Sequence, residues 1–280
     1  MSKIHQAMRR AEQEGKSGAP LPTRSTQEVV AKPFLTTAPG VLSAAPSAET
    51  DARSVADGMF DLSNLLEVTT VVDPKVVART RDTYDKLGDR LGCLKVDALA
   101  SGSDIRAVLL TSASDGEGKS LTATNVAIAV SRMSSQRVLL VDGNLRHPTV
   151  HKLLGMNPEM GLSDHLHGSC SAQQVIIKTD IPSLFIVSGG FTTKSPSELL
   201  NTVRMSHFLN IVRHQFEWVF VDAPAMIPEP DAELLSSFVD AVIFVAGTRS
   251  NPSSVLESVR LLRGKNVLGI VWNGGDQSSN

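Results

Sequence analysis

Ala113, Ser114, Asp115, Gly116, Glu117, Gly118, Lys119 and Ser120 come directly after the run Val108-Leu109-Leu110-Thr111-Ser112, and a helical pattern opens at Leu121. Glycines at this spacing let backbone N–H groups curl round phosphate oxygens, and the start of a helix adds positive potential. In such a loop Lys119 would reach the β and γ phosphates, and the Ser120 hydroxyl would ligate Mg2+. Ala113 stands where the general phosphate-loop pattern has Gly, but the strand, loop and helix that the chemistry requires follow one another in order.

Two further apolar runs end in a carboxylate. Val138-Leu139-Leu140-Val141 leads to Asp142, and Trp218-Val219-Phe220-Val221 leads to Asp222. An Asp at the tip of a strand neighbouring the phosphate loop can hold a metal or orient an attacking hydroxyl or water, which is the role expected of Asp142. Asp222, in the form of apolar residues followed by Asp, is expected to hold Mg2+ from the side opposite Ser120. The expected catalytic residues are thus Lys119, Asp142 and Asp222, and the expected metal residues Ser120, Asp142 and Asp222.

The elements that must carry these groups can be read from periodicity. Near-continuous apolar runs at 105–111, 137–141, 184–187, 218–221, 241–245 and 267–271 have the character of strands buried on both faces. Helical stretches are expected between them, at 119–134, 195–213 and 252–263. Alternating strands and helices predict a three-layer α/β/α, doubly wound, mostly parallel sheet with its ligand at the carboxyl ends of the strands.

Ahead of this domain, expected at 101–275, the pattern is different. Residues 1–16 place Ile4, Ala7, Met8 and Ala11 at helical spacing, a short amphipathic helix. Residues 17–50 hold five of the fourteen prolines among Ser, Thr, Ala and Gly, which predicts a disordered linker and a flexible N-terminal arm. Residues 51–100 regain apolar periodicity and read as a helical lead-in, while 276–280 form a short tail without tyrosine.

Composition narrows the partners. Lys and Arg total 27 against 29 Asp and Glu, so no nucleic-acid partner is expected. Cys93 and Cys170 are far apart and match no zinc or disulfide spacing. His147 with His151, and His165 with His167 near Cys170, are spaced as metal ligands can be, but no third ligand stands at matching spacing. No run approaches the roughly 18 apolar residues of a spanning helix, and the N-terminus lacks the apolar core of a signal peptide. A cytoplasmic chain is expected, recruited to the inner face of the membrane only through a partner.

Taken together, these segments resemble the bacterial tyrosine kinases of capsule and exopolysaccharide assembly, within the partition-type P-loop ATPases. Residues 112–121, SASDGEGKSL, are similar to that family's phosphate loop S-x-x-P-G-E-G-K-S-T, with Leu121 in the place of Thr. The similarity continues through Gly161-Leu162-Ser163-Asp164, Ser195-Pro196-Ser197-Glu198-Leu199-Leu200 and Asp231-Ala232, and closes at Asn273, where the family's Asn is expected near the adenine. The partition branch usually carries a second lysine where this chain has Ser114, so a cargo-positioning ATPase is the third reading.

The resemblance implies ATP and Mg2+ as cofactors, with Asp115, Gly116, Glu117, Gly118, Lys119, Ser120, Leu121 and Asn273 about the nucleotide. It also implies a membrane chain-length or co-polymerase partner and a homo-oligomer. No guanine-reading N-K-x-D segment appears.

The chain departs from the family at three places. Asn144 stands where the second motif D-x-D-x-R has its second Asp, Ala223 replaces a hydroxyl residue, and Tyr84 is the only tyrosine, so autophosphorylation of a C-terminal tyrosine tail is not expected. The glutamate- and arginine-rich helix that packs the family's subunits into a ring has no clear counterpart at 76–92. Two readings follow: a phosphoryl-transferring kinase of polysaccharide assembly, or a nucleotide-dependent interaction switch that hydrolyses ATP slowly or not at all.

Overall fold

The computed structural model describes residues 67–68, 81–133, 136–192 and 195–273; the expected helix at 1–16, linker at 17–50 and tail at 276–280 lie outside them. The described strands are β1 (Glu67–Val68), β2 (Ala107–Ser112), β3 (Val138–Asp142), β4 (Ile177–Thr179), β5 (Leu184–Val187), β6 (Trp218–Asp222), β7 (Ala241–Gly247) and β8 (Val267–Asn273). They form one sheet in the order β1-β4-β5-β3-β6-β2-β7-β8. The strands from β5 to β8 run parallel, and β4 pairs antiparallel with β5.

The central strands β2, β3 and β6 are buried at every residue because each points alternate side chains into a different core. Leu109, Leu139, Val141, Val219 and Val221 face one apolar cluster, and Val108, Leu110, Val138, Leu140 and Phe220 face the other. Helices α1 (Arg81–Ala100), α2 (Lys119–Met133) and α3 (Val150–Leu153) are on the second side, where Tyr84, Leu91, Val126 and Val150 are buried. On the first side are α4 (Leu162–His167), α5 (Ala172–Val175), α6 (Pro196–Leu200), α7 (Val203–Gln215), α8 (Asp231–Ser236) and α9 (Pro252–Leu261).

The expected helix over 195–213 is divided into α6 and α7. Thr202 causes the break: its hydroxyl donates to the Leu199 carbonyl (2.7 Å) and accepts from the Met205 N–H (3.3 Å), which caps a new helix at φ −118°. From β2 the chain winds to β3 and β5 on one side and later to β7 and β8 on the other. Winding therefore reverses beside β2 and opens a crevice at the strand carboxyl ends, where the phosphate loop lies.

Candidate nucleotide site

The loop between β2 and α2 turns on two residues with positive φ, Gly116 at 79° and Gly118 at 88°. At Gly118 a side chain is doubly opposed. A Cβ there would be strained by the left-handed backbone and would lie 2.0 Å from Asn273 Nδ2, which itself donates to the Glu117 carbonyl at 3.2 Å. Asn273, at the end of β8, thus packs against the phosphate loop. Gly118→Ala is expected to weaken ATP binding by about tenfold or more while costing the fold only about 1–2 kcal/mol; titration with a fluorescent ATP analogue beside a thermal melt checks both.

Glu117 is buried and engaged within the protein. Its Oε2 accepts from the Ala113 and Ser114 N–H groups (3.1 and 3.4 Å), and its Oε1 accepts from the Ser250 hydroxyl (2.5 Å). This carboxylate braces the loop from within, each oxygen accepting from a donor of the protein itself. Lys119, the first residue of α2, is buried with Nζ 3.3 Å from the exposed Asp115 carboxylate and 3.5 Å from the Ser114 carbonyl. Its ammonium group is folded over the loop at the mouth of the helix, where N–H groups of the first turn lack helical acceptors. Leu121, partly buried, packs on the core behind α2.

Asp142 and Asp222 are paired residues at the ends of neighbouring parallel strands β3 and β6, and both are fully buried. Their surroundings differ. Asp142 accepts three backbone N–H groups: Thr149 (2.9 Å) and Val150 (3.0 Å) on Oδ2, and Asn144 (3.2 Å) on Oδ1. Burial nevertheless raises its acid to about 6, against the pull of those N–H groups and of Lys152.

Asp222 has no hydrogen bond to either carboxylate oxygen. Burial, and then repulsion from Asp142, push its acid well above the ordinary range; the nearby Ser120 hydroxyl and the Lys119 charge oppose this only in part. A buried carboxylate with both oxygens orphaned, beside a lysine and a serine at a helix start, fits a divalent cation and anionic phosphates. The donor set therefore suits Mg2+ and ATP.

Neighbouring groups fix the frame. The Thr111 hydroxyl donates to the Pro224 carbonyl (2.8 Å), and the Ala223 N–H donates to the Leu110 carbonyl (3.0 Å), so the segment after β6 is held to β2 without a hydroxyl at 223. The Asn144 side chain accepts from the His147 N–H (3.2 Å), which braces the turn after β3.

Arg146 closes a knot that its position in the sequence does not foretell. It pairs with Asp231 (2.6 Å), Glu229 (3.1 Å) and the Ser197 hydroxyl (3.0 Å), and Ser197 also donates to Asp231. Three segments of the family resemblance therefore meet at one buried carboxylate. His165 and His167 make backbone contacts, His165 Nδ1 to the Cys170 carbonyl (3.1 Å) and His167 Nδ1 to the Ser163 carbonyl (2.8 Å). Among the described residues no group of three or more His, Cys, Asp or Glu side chains could hold a metal, and no helix is long and apolar enough to cross a membrane.

Comparison with known proteins gives relatives in sequence and in fold. No protein-family model matches the sequence. The putative tyrosine-protein kinase EpsB of Ralstonia solanacearum is 33% identical over 175 residues, covering 61% of this chain but 23% of its own length. The chain thus spans about a quarter of that relative. The tyrosine-protein kinase CpsD of Streptococcus pneumoniae is 28% identical over 184 residues, 64% of this chain and 81% of the relative. Among solved structures, the kinase domain of the Escherichia coli tyrosine kinase ETK superposes with a TM-score of 0.59 at 28% identity, over 62% of this chain and 70% of that one.

Proposed function

We propose that this chain, a relative of the bacterial tyrosine kinases by sequence and by fold, binds ATP with Mg2+ and transfers or releases its γ-phosphoryl group in exopolysaccharide or capsule assembly. One observation carries the reading: Asp222 is buried with two unpartnered oxygens, in register with Asp142 and beside Lys119 and Ser120. Bound Mg2+ would neutralise phosphate charge there. Lys119 and the start of α2 would hold the phosphates, Ser120 and Asp222 the metal, and Asp142 would orient the incoming oxygen. Phosphoryl transfer depends chiefly on placement and charge neutralisation, which a rigid loop between two paired strands supplies.

The second reading, an interaction switch or slow ATPase, is favoured by Tyr84. This single tyrosine is 7% exposed and packed in the core under α2, and burial raises its phenol above the ordinary range. It can accept phosphate only if α1 leaves the domain. Under both readings the partner is a membrane chain-length protein that recruits this chain to the inner face of the membrane, and copies of the chain associate with one another.

Purified protein given γ-labelled ATP and Mg2+ should release phosphate or label protein in a manner abolished by Lys119→Met. Tyr84→Phe should leave either signal unchanged. Loss of label in Tyr84→Phe, with an unaltered melt, would instead make Tyr84 the acceptor.

A further inference from the structure

Glu117 is an acid held 8% exposed inside a loop read as receiving a triphosphate. A carboxylate there repels phosphate unless its charge is spent on other donors, and the donors are all visible. Two are loop N–H groups, those of Ala113 and Ser114; the third is the hydroxyl of Ser250, 133 residues further along the chain. Ser250 is held in turn, since its oxygen accepts from the Gly247 N–H at 2.7 Å, and Ser250 N–H donates to the Gly247 carbonyl at 3.1 Å. The turn that links β7 to α9 therefore grips the phosphate loop through one side chain. A second grip comes from the neighbouring strand, where Asn273 donates to the Glu117 carbonyl.

We propose that Ser250 is a positioning residue for nucleotide binding, which acts through Glu117 to set the curl of the phosphate loop. The inference rests on the nucleotide-binding reading above. Oε1 of Glu117 is turned towards Ser250, which leaves Oε2 to gather the Ala113 and Ser114 N–H groups at the base of the loop. Those two donors are thereby withdrawn from the ligand, and the phosphates are left to the N–H groups from Gly116 onwards. Without the Ser250 hydroxyl, Oε1 loses the one side-chain donor seen on it, and the carboxylate is free to rotate towards the phosphates it should be kept from. The effect would fall on binding more than on the fold, because Ser250 is only partly buried and belongs to a turn that its own backbone closes.

The test measures the affinity of the full chain for Mg2+ and ATP by calorimetry, with thermal melts alongside, for the parent, Lys119→Met, Ser250→Ala, Ser250→Thr and Glu117→Gln. Ser250→Ala should bind about tenfold more weakly, the effect of one lost hydrogen bond to a charged group. Its melt without nucleotide should stay near the parent's. Ser250→Thr should recover most of the affinity, since a hydroxyl is restored. Glu117→Gln should fall between, because the amide oxygen can keep the loop N–H groups while its NH2 turns to the Ser250 oxygen.

Parent-like affinity in Ser250→Ala would overturn the inference, as would a loss that Ser250→Thr fails to restore. If the parent itself does not bind ATP, or binds it no better than Lys119→Met, the nucleotide-binding reading fails instead.

Discussion

Replacing Asp222 by Asn is expected to raise the melting temperature of the nucleotide-free protein and, in the same variant, to abolish the further rise that Mg2+ and ATP give the parent. Asp222 is fully buried, neither oxygen is hydrogen-bonded, and Asp142 stands beside it on the next strand. Burial holds this acid protonated at pH values where the unfolded chain ionises it, which costs stability, and an amide of nearly the same volume has no proton to hold. The gain should depend on pH with a definite sign.

Asp142, raised to about 6, and Asp222, also raised well above its ordinary value by burial and by Asp142, keep their protons when folded at pH values where the unfolded chain has lost them. Below the ordinary carboxylate range near 4 both states are protonated; as pH rises from there through the folded-state values, the unfolded state binds fewer protons and stability falls. The parent should therefore lose stability as pH rises from about 4 through 6 and beyond, and Asp222→Asn should lose less. With ATP and metal at 100 times their dissociation constant, the parent should gain about 2.7 kcal/mol, which the variant forfeits. Melts from pH 4 to 8, with and without Mg2+ and ATP, check both parts. A variant that melts lower than the parent when nucleotide-free, yet still responds to Mg2+ and ATP, would remove Asp222 from the metal site.

Asp222 also marks how far the sequence can be read. Strands such as Leu184–Val187 stand where the apolar runs put them, because a strand covered on both faces must be apolar throughout and its ends are marked by the first polar residue. The convergence of Lys119, Asp142 and Asp222 on one edge follows from the same logic, since all three end or follow such strands. β4, Ile177–Thr179, went unread; three residues at 177–179 that pair antiparallel on the far side of the sheet carry no period to detect.

For Glu117 the sequence offers its place in the loop but not the donors that engage its carboxylate. Its partner Ser250 is an ordinary serine in a turn, and only the closing of β7 next to β2 brings the two together. The side chain of Asn144, which stands in the place of an acid, accepts a backbone N–H within its own turn. Side-chain direction at a strand end is set by the loop that follows, and periodicity says nothing about loops.

Arg146→Ala is expected to be among the most damaging single changes in the chain, even though Arg146 bonds to neither member of the Asp142–Asp222 pair. Its guanidinium meets Asp231 through two nitrogen–oxygen contacts, 2.6 and 3.3 Å, and also reaches Ser197 and Glu229. Asp231 is 1% exposed, and the arginine carries the charge that compensates it. Removing one partner of a buried ion pair costs about 3–5 kcal/mol, because the other charge stays buried and unpaired. For a domain of this size that is a fall of roughly 10 °C or more in melting temperature.

Arg146→Lys should recover little, since a single ammonium cannot reproduce the planar fork that engages both carboxylate oxygens. The double variant Arg146→Met with Asp231→Leu should recover most of the loss, because burying matched apolar groups avoids desolvating either charge. Thermal melts of these variants separate a buried ion pair from a ligand contact. If Arg146 instead served chiefly to bind phosphate, Arg146→Ala would leave the nucleotide-free melt almost unchanged and the double variant would restore nothing. The knot joins the turn after β3 to the segment after β6, so its loss should loosen the two strand ends that carry Asp142 and Asp222 and weaken ATP binding only as a consequence of the lost stability.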